Sequence, residues 1–153
     1  MPPFSWPFSG TTTPAGAPAP TTPDYGVDWY WNGDIDPTGR LVNGPLAVAQ
    51  AIARRLITTR GTLFYDPEYG FNLRDFLNET VEEGQTIFQI ESGIETECLK
   101  DERVESADAA AEYIESASRL RVTARLVLAE GPFELVLIVD AVTLEILSLQ
   151  SAA

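Results

Sequence analysis

Apolar residues recur at helical spacing between residues 45 and 103 and alternate, one in two, from about residue 104 onward. Ala49, Ile52, Ala53, Leu56 and Ile57 lie on one face at i, i+3, i+4 and i+7 spacing, which predicts a helix over residues 45–60. Asn43-Gly44-Pro45 supplies its start, with Pro in the first turn. Arg54, Arg55 and Arg60 fall near its end, where positive charge suits the helix dipole; Arg54 and Arg55 are expected to be solvated. Leu73, Phe76 and Leu77 give residues 72–78 about two helical turns, and Thr80-Val81-Glu82-Glu83 fits a capping box for a longer helix. In that helix Ile87, Ile90, Ile94 and Cys98 form one stripe with Phe88 and Leu99 beside it, while Glu91, Glu95 and Glu102 lie on another, solvated side.

The alternation then takes over. Leu120, Val122, Ala124, Leu126 and Leu128 alternate with Arg119, Arg121, Thr123, Arg125 and Val127, as in a half-buried strand with a basic outer face. Glu130-Gly131-Pro132 makes a turn into a second strand, Phe133 to Val139, which is apolar on both faces apart from Glu134. Val142–Leu149 is a third strand, and Val104–Ala110 is a candidate fourth. The expected class is α+β: two main helices on one side of a small antiparallel or mixed sheet.

Between the helices, residues 60–73 carry a turn with punctuation at fixed offsets. Gly61 reads as the C-cap of a helix ending at Arg60, Pro67 fixes the turn, and Gly70 permits a positive φ as the chain leaves it. Phe64, Tyr65, Tyr69 and Phe71 are expected to pack this turn back onto the helices.

Residues 1–43 read as an extended arm and residues 44–153 as the folded domain. Residues 1–23 hold seven prolines and no charged residue, a composition that does not build a core. The aromatics Phe4, Trp6 and Phe8, followed by Tyr25, Trp29, Tyr30 and Trp31, stand out in such a segment as anchors for pockets on a neighbouring protein, with a disordered tail as the other reading of residues 1–23 and a short strand as that of residues 25–31. Asp28, Asp34 and Asp36 lack the Glu-terminated loop of a calcium-binding hand and read as turn formers.

Charge narrows the partners. Among 153 residues, 23 acids face 10 bases, giving a net charge of −13 with no His. Such a surface is ill suited to nucleic acid, whose phosphates require Lys and Arg. The lone Cys98 allows no internal disulfide and reads as a small core residue. The lack of His removes the commonest zinc ligand and the usual triad base, so neither cofactor nor metal is expected. No apolar run approaches a membrane span, and no basic leader precedes one, so a soluble protein folded in a cytoplasm is expected.

The ordered set of motifs carries a resemblance. A helix ending Arg55-Leu56-x-Thr58-x-Arg60-Gly61, a Pro67-x-Tyr69-Gly70-x-x-Leu73 turn and a second helix ending Leu99-x-x-x-Arg103-Val104 resemble the baseplate wedge and sheath-initiator family of contractile phage tails, relatives of the small baseplate component of type VI secretion systems. The likeness runs from about Pro45 to Ser148. It implies a structural virion protein, assembled in the host cytoplasm, whose partners are baseplate wedge proteins and the tail sheath protein, with tube or hub proteins as further neighbours. The family's Glu-Pro-Arg signature falls on Asp101-Glu102-Arg103, with Glu102 in place of Pro. The resemblance thus assigns the wedge contact to Leu99, Asp101, Glu102 and Arg103. It also implies strand exchange with sheath subunits on the C-terminal sheet, carried by Phe133, Leu135, Leu137, Val139, Leu144 and Ile146.

Members of that family have been labelled lysozyme-like, and a glycosidase needs two carboxylates flanking a cleft. Asp66 and Glu68 are the nearest pair, but they sit in a tight turn with no cleft-forming sequence, and no phosphate loop or serine elbow appears. The expectation is a non-enzymatic assembly protein. The alternatives are a peptidoglycan-cleaving baseplate component, or the equivalent part of a type VI or extracellular injection machine.

Overall fold

The structure, a computed structural model, describes residues 24–31, 34–77, 83–141 and 143–151. It is an α+β arrangement. Its elements are β1 (Val27–Trp29), β2 (Leu41–Asn43), α1 (Gly44–Ile57), α2 (Glu83–Cys98), β3 (Ser106–Ile114), β4 (Arg119–Leu128), β5 (Gly131–Val139) and β6 (Leu144–Ser151). β1 and β2 pair antiparallel, and β3-β4-β5-β6 form an antiparallel meander in that order. The mixed-sheet alternative does not occur among the described strands.

Alternation along β4 and β5 sends Leu120, Val122, Ala124, Leu126 and Leu128, with Phe133, Leu135, Leu137 and Val139, to one face. There they meet Ala49, Ile52, Ala53 and Leu56 of α1 and Ile90, Ile94 and Cys98 of α2 in one core. α1 packs against β5 and β6, and α2 against β3. The other face carries Arg119, Arg121 and Arg125, and the half-buried Glu134, Val136 and Ile138. Arg125 pairs there with Glu134 at 3.1 Å.

Several elements differ from the sequence expectation. α1 ends at Ile57, not Arg60, and Thr58 caps it: its N–H and its hydroxyl both donate to the Arg54 carbonyl. A β-branched residue in extended conformation stops the helix before Gly61 is reached. Gly61 serves the following turn instead, donating to the Pro67 carbonyl at 3.0 Å. Residues 73–77 form a 3₁₀ turn, tighter than the expected α-helical one. Of the capping box, Thr80–Glu82 lie outside the described residues. β3 runs longer than expected, to Ile114, and β6 to Ser151.

The largest correction concerns the arm. Tyr25, Trp31 and Val42 are buried in the body of the protein, so the described residues of 24–43 belong to the domain. The reason is Gln50, which is fully buried on α1. Its Oε1 accepts the Trp31 N–H at 2.7 Å, and its Nε2 donates to the Trp29 carbonyl at 3.1 Å. Asp28 adds an ion pair to Arg54.

Gly70 is required by contact as well as by conformation. Its φ is +106°, and a Cβ there would lie 2.2 Å from the Thr58 carbonyl oxygen. Gly61 has φ +83° with nothing within 4 Å of such a Cβ. Gly61→Ala should therefore cost about 1 kcal/mol, the left-handed penalty alone. Gly70→Ala should cost about 3 kcal/mol or more, because backbone must also move. Urea unfolding of both variants checks this; equal losses would show that the Thr58 contact is not limiting.

Candidate interaction surfaces

The two ends of the four-stranded sheet are finished differently. Glu91 and Glu95 stand one turn apart on α2. Glu91 accepts the Ala111 N–H at 2.9 Å, and Glu95 the Ala109 N–H at 3.1 Å. In an antiparallel pair, alternate N–H groups point to the same edge. Ala109 and Ala111 thus present donors on the side of β3 away from β4. Four helical residues rise about 6 Å and two strand residues about 6.8 Å, so the carboxylates match the donors one to one. α2 occupies the place of a fifth strand. These glutamates, expected to be solvated, seal an edge. At the other end, β6 pairs with β5 and has no further strand beyond it among the described ones.

This placement corrects the strand-exchange residues. β5 is flanked by β4 and β6, so Phe133, Leu135, Leu137 and Val139 lie on a central strand with side chains in the protein's own core. Leu144 is buried and Ile146 partly so. The end strand of the meander is β6, whose exposed side chains include Glu145 and Leu147. Leu147 is the extra residue where the β5–β6 register shifts, since Val136 faces Ser148 and Leu137 faces Ile146.

A second site gathers around Glu97, whose side chain is fully buried. Arg60 and Lys100 each approach its Oε1 at 2.5 Å, and Arg55 its Oε2 at 3.4 Å. Arg60 Nε also donates to the Gly70 carbonyl and Lys100 Nζ to the Glu68 carbonyl. Arg55, expected to be solvated, also stacks over the Tyr69 ring at 4.2 Å. Burial of Tyr69 pushes its phenol above the usual range. Phe71 packs on Phe76. Phe64 and Tyr65, however, do not fold back: they are 92% and 72% exposed, set edge to face at the tip of the turn.

The residues assigned to the wedge contact divide. Arg103 forks onto Asp101 through Nε and one terminal nitrogen at 2.7 and 2.6 Å, and its other terminal nitrogen donates to the Tyr25 carbonyl at 2.9 Å. The guanidinium is thus used to fasten the N-terminal strand region to the turn after α2. Bonding to Asp101 raises the Arg103 pKa. Leu99 and Glu102 remain exposed, and Glu102 lines a shallow cleft of about 480 Å³ with Arg55, Lys100, Asp101 and Arg103. Of the arm anchors, Trp31 is buried in the domain and Trp29 is 55% exposed; Phe4, Trp6 and Phe8 lie outside the described residues.

Gln50 and Glu97 escaped sequence reading although both sit on helix stripes: Gln50 beside Ala49 and Ala53, Glu97 seven residues after Ile90. A polar residue on an apolar stripe was the available signal. Burial pushes the Cys98 thiol up to about 12, which leaves it protonated and inert. Among the described residues, no group of three or more His, Cys, Asp or Glu is placed to hold a metal ion. No helix among them is long and apolar enough to cross a membrane. A scan against protein-family models finds no match to this chain, and a search of the curated proteins finds none.

Replacing Glu97 by Gln leaves three cations around a neutral side chain. The expected loss is about 3 kcal/mol, against well under 1 for Arg121→Ala in an exposed pair. Thermal unfolding at neutral pH measures both.

Asp101 gives a pH signature. Burial pushes its carboxyl up, but the bonds from the Arg103 side chain and backbone, and the Arg103 charge, outweigh this and hold it below the usual range. A depressed folded pKa contributes stability that is complete above the unfolded value and is lost as pH falls through the folded one. Stability should therefore drop below about pH 4 in the wild type. Asp101→Asn should flatten that part of the curve; an unchanged slope would show that the pair is not linked to folding.

Proposed function

We propose that this chain is a structural protein of a contractile-tail baseplate, which joins the wedge to the sheath and starts sheath polymerisation by offering its sheet for strand addition. The observation that carries this reading is the unequal finish of the sheet. One end is closed by Glu91 and Glu95 on α2, while β6 ends the other without a further strand among those described. An end strand is a template for another chain's backbone, and addition there needs no catalytic group. The acceptor is therefore β6 rather than β5. Leu99 and Glu102 are the exposed members of the wedge patch, and Phe64 and Tyr65 supply a rigid aromatic projection for a pocket on a neighbour. The protein acts in the virion, after assembly in the host cytoplasm. The sequence likeness described above supports the same reading.

Leu147→Pro tests it. Proline is tolerated at a bulge but removes a donor and places a ring on the edge strand. Purified sheath subunits mixed with wild-type protein should polymerise without the lag seen in its absence, followed by light scattering. The variant should keep the thermal transition and lose the seeding. Undiminished seeding by a folded variant would overturn the β6 assignment. In parallel, purified protein should release no soluble fragments from peptidoglycan; release abolished by Asp66→Asn/Glu68→Gln would replace this function with a hydrolytic one.

A further inference from the structure

The junction between β2 and α1 holds a chemically reactive pair that the fold leaves unguarded. Asn43 is the partner of Val27 in the last pair of the β1–β2 ribbon, and Gly44 after it is the first residue of α1. The Asn43 side chain is exposed and makes no cap hydrogen bond, so its amide is free to turn. Gly44, as the first helical residue, has an N–H with no intrahelical acceptor. Its φ is +65°, and a Cβ there would meet nothing within 4 Å, so the space beside it is open. Asn72 is the opposite case. Its Nδ2 donates to Asp75 at 2.6 Å, and the residue that follows is the bulky, buried Leu73.

We propose that Asn43-Gly44 is a self-modifying site, whose deamidation converts the junction of ribbon and helix into two forms of opposite stability. The Gly44 nitrogen gives its proton to solvent and attacks Asn43 Cγ. The new bond closes a cyclic imide, the Cγ–Nδ2 bond breaks, and ammonia leaves as solvent returns the proton. Water then opens the imide at one of its carbonyls. Opening at Cγ gives aspartate, and opening at the backbone carbonyl gives isoaspartate, whose main chain runs through the side chain. No electrons are exchanged, and water is the co-reactant. Ring closure requires Asn43 ψ to swing away from its extended −177°. Its place in the last pair of the ribbon confines the disturbance to that pair, and Gly44 takes up the compensating rotation. The products then diverge. Aspartate sets a carboxylate at the cap of a helix with no acid in its first turn, where it accepts orphan N–H groups and meets the positive end of the dipole. Isoaspartate lengthens the main chain by a carbon atom between buried Val42 and α1. The Val27–Asn43 pair and the Gln50 bonds to Trp29 and Trp31 then cannot all be kept, and the ribbon loosens from α1.

Tryptic mapping of the full chain after incubation in mildly alkaline buffer tests this. Asn43 is the one asparagine of the peptide 41–54, Asn72 lies in 61–74, and the sequence's other Asn-Gly pair, Asn32-Gly33, falls on a separate peptide. In the folded protein Asn43 should convert within about tenfold of its rate in the urea-unfolded chain, the factor for a modest backbone adjustment. The rate should rise with pH, because the attacking nitrogen must lose its proton, and Asn72 should stay intact. Asn43→Gln should keep the thermal transition and stop the conversion, since its longer side chain closes the ring poorly. Asn43→Asp should melt no lower than the wild type. Aged wild-type protein should instead show a lower-melting fraction that grows with the isoaspartate content of 41–54, with buried Trp31 opened to hydroxyl-radical labelling. Slower conversion of Asn43 in the folded protein than stated would overturn the proposal. So would an aged sample rich in isoaspartate with Trp31 still protected.

Discussion

One buried carboxylate governs how the helical half of this protein is put together. Glu97 has no solvent contact, so its charge must be met within the protein. The three cations come from different places: Arg55 from the last turn of α1, Arg60 from the connection and Lys100 from the turn after α2. Arg60 and Lys100 each hold a carbonyl of the connection as well. A single charge therefore fixes the helix-to-helix turn against both helices. Phe64 and Tyr65 stand in solvent on that turn, set edge to face. Buried ion clusters add little net stability over apolar packing, but they are intolerant of rearrangement once one partner is missing. The loop's shape is thus specified more tightly than its contact area would require.

The same economy of carboxylates shapes the sheet. Most of the acids between Glu79 and Glu115 would serve equally well as solvated charge. Glu91 and Glu95 instead substitute for a neighbouring strand along β3, which removes one of the two edges on which a meander of four strands can grow. On the outer face, Arg125 stands between Asp108 and Glu134 in register, and Arg121 between Glu112 and Ile138, so charge keeps that face wet. Inner face, outer face and β3 edge are each committed. Among the described strands, β6 is the remaining end of the meander.

How much of this was legible in the sequence depended on whether position alone determined the role. Period-two alternation placed β4 and β5 and their buried faces, because a strand with one covered face has no other way to sort its side chains. Helical spacing located α1 and the Ile90–Ile94–Cys98 stripe. The α1 terminus was misplaced because Gly61 is a strong punctuation signal, while the stop is made by the backbone and hydroxyl of Thr58, which no residue count distinguishes from helix interior. Residues 25–43 were read as arm because strands of three residues are too short to show periodicity, and their attachment depends on Gln50, 19 residues after Trp31. Arg103 was expected to reach outward; its fork onto Asp101 and Tyr25 needed the tertiary position of Tyr25 to be seen. Edge and centre cannot be told apart along a single strand, which is why the strand-exchange residues were drawn from both central β5 and the end strand β6.

An open end strand also invites copies of the same protein to pair with one another, and the charge bears on that hazard. Two chains at −13 each repel one another across a shared surface. The register shift at Leu147 twists the edge locally, so a flat two-fold pairing loses ladder bonds there. That acidity disfavours self-association.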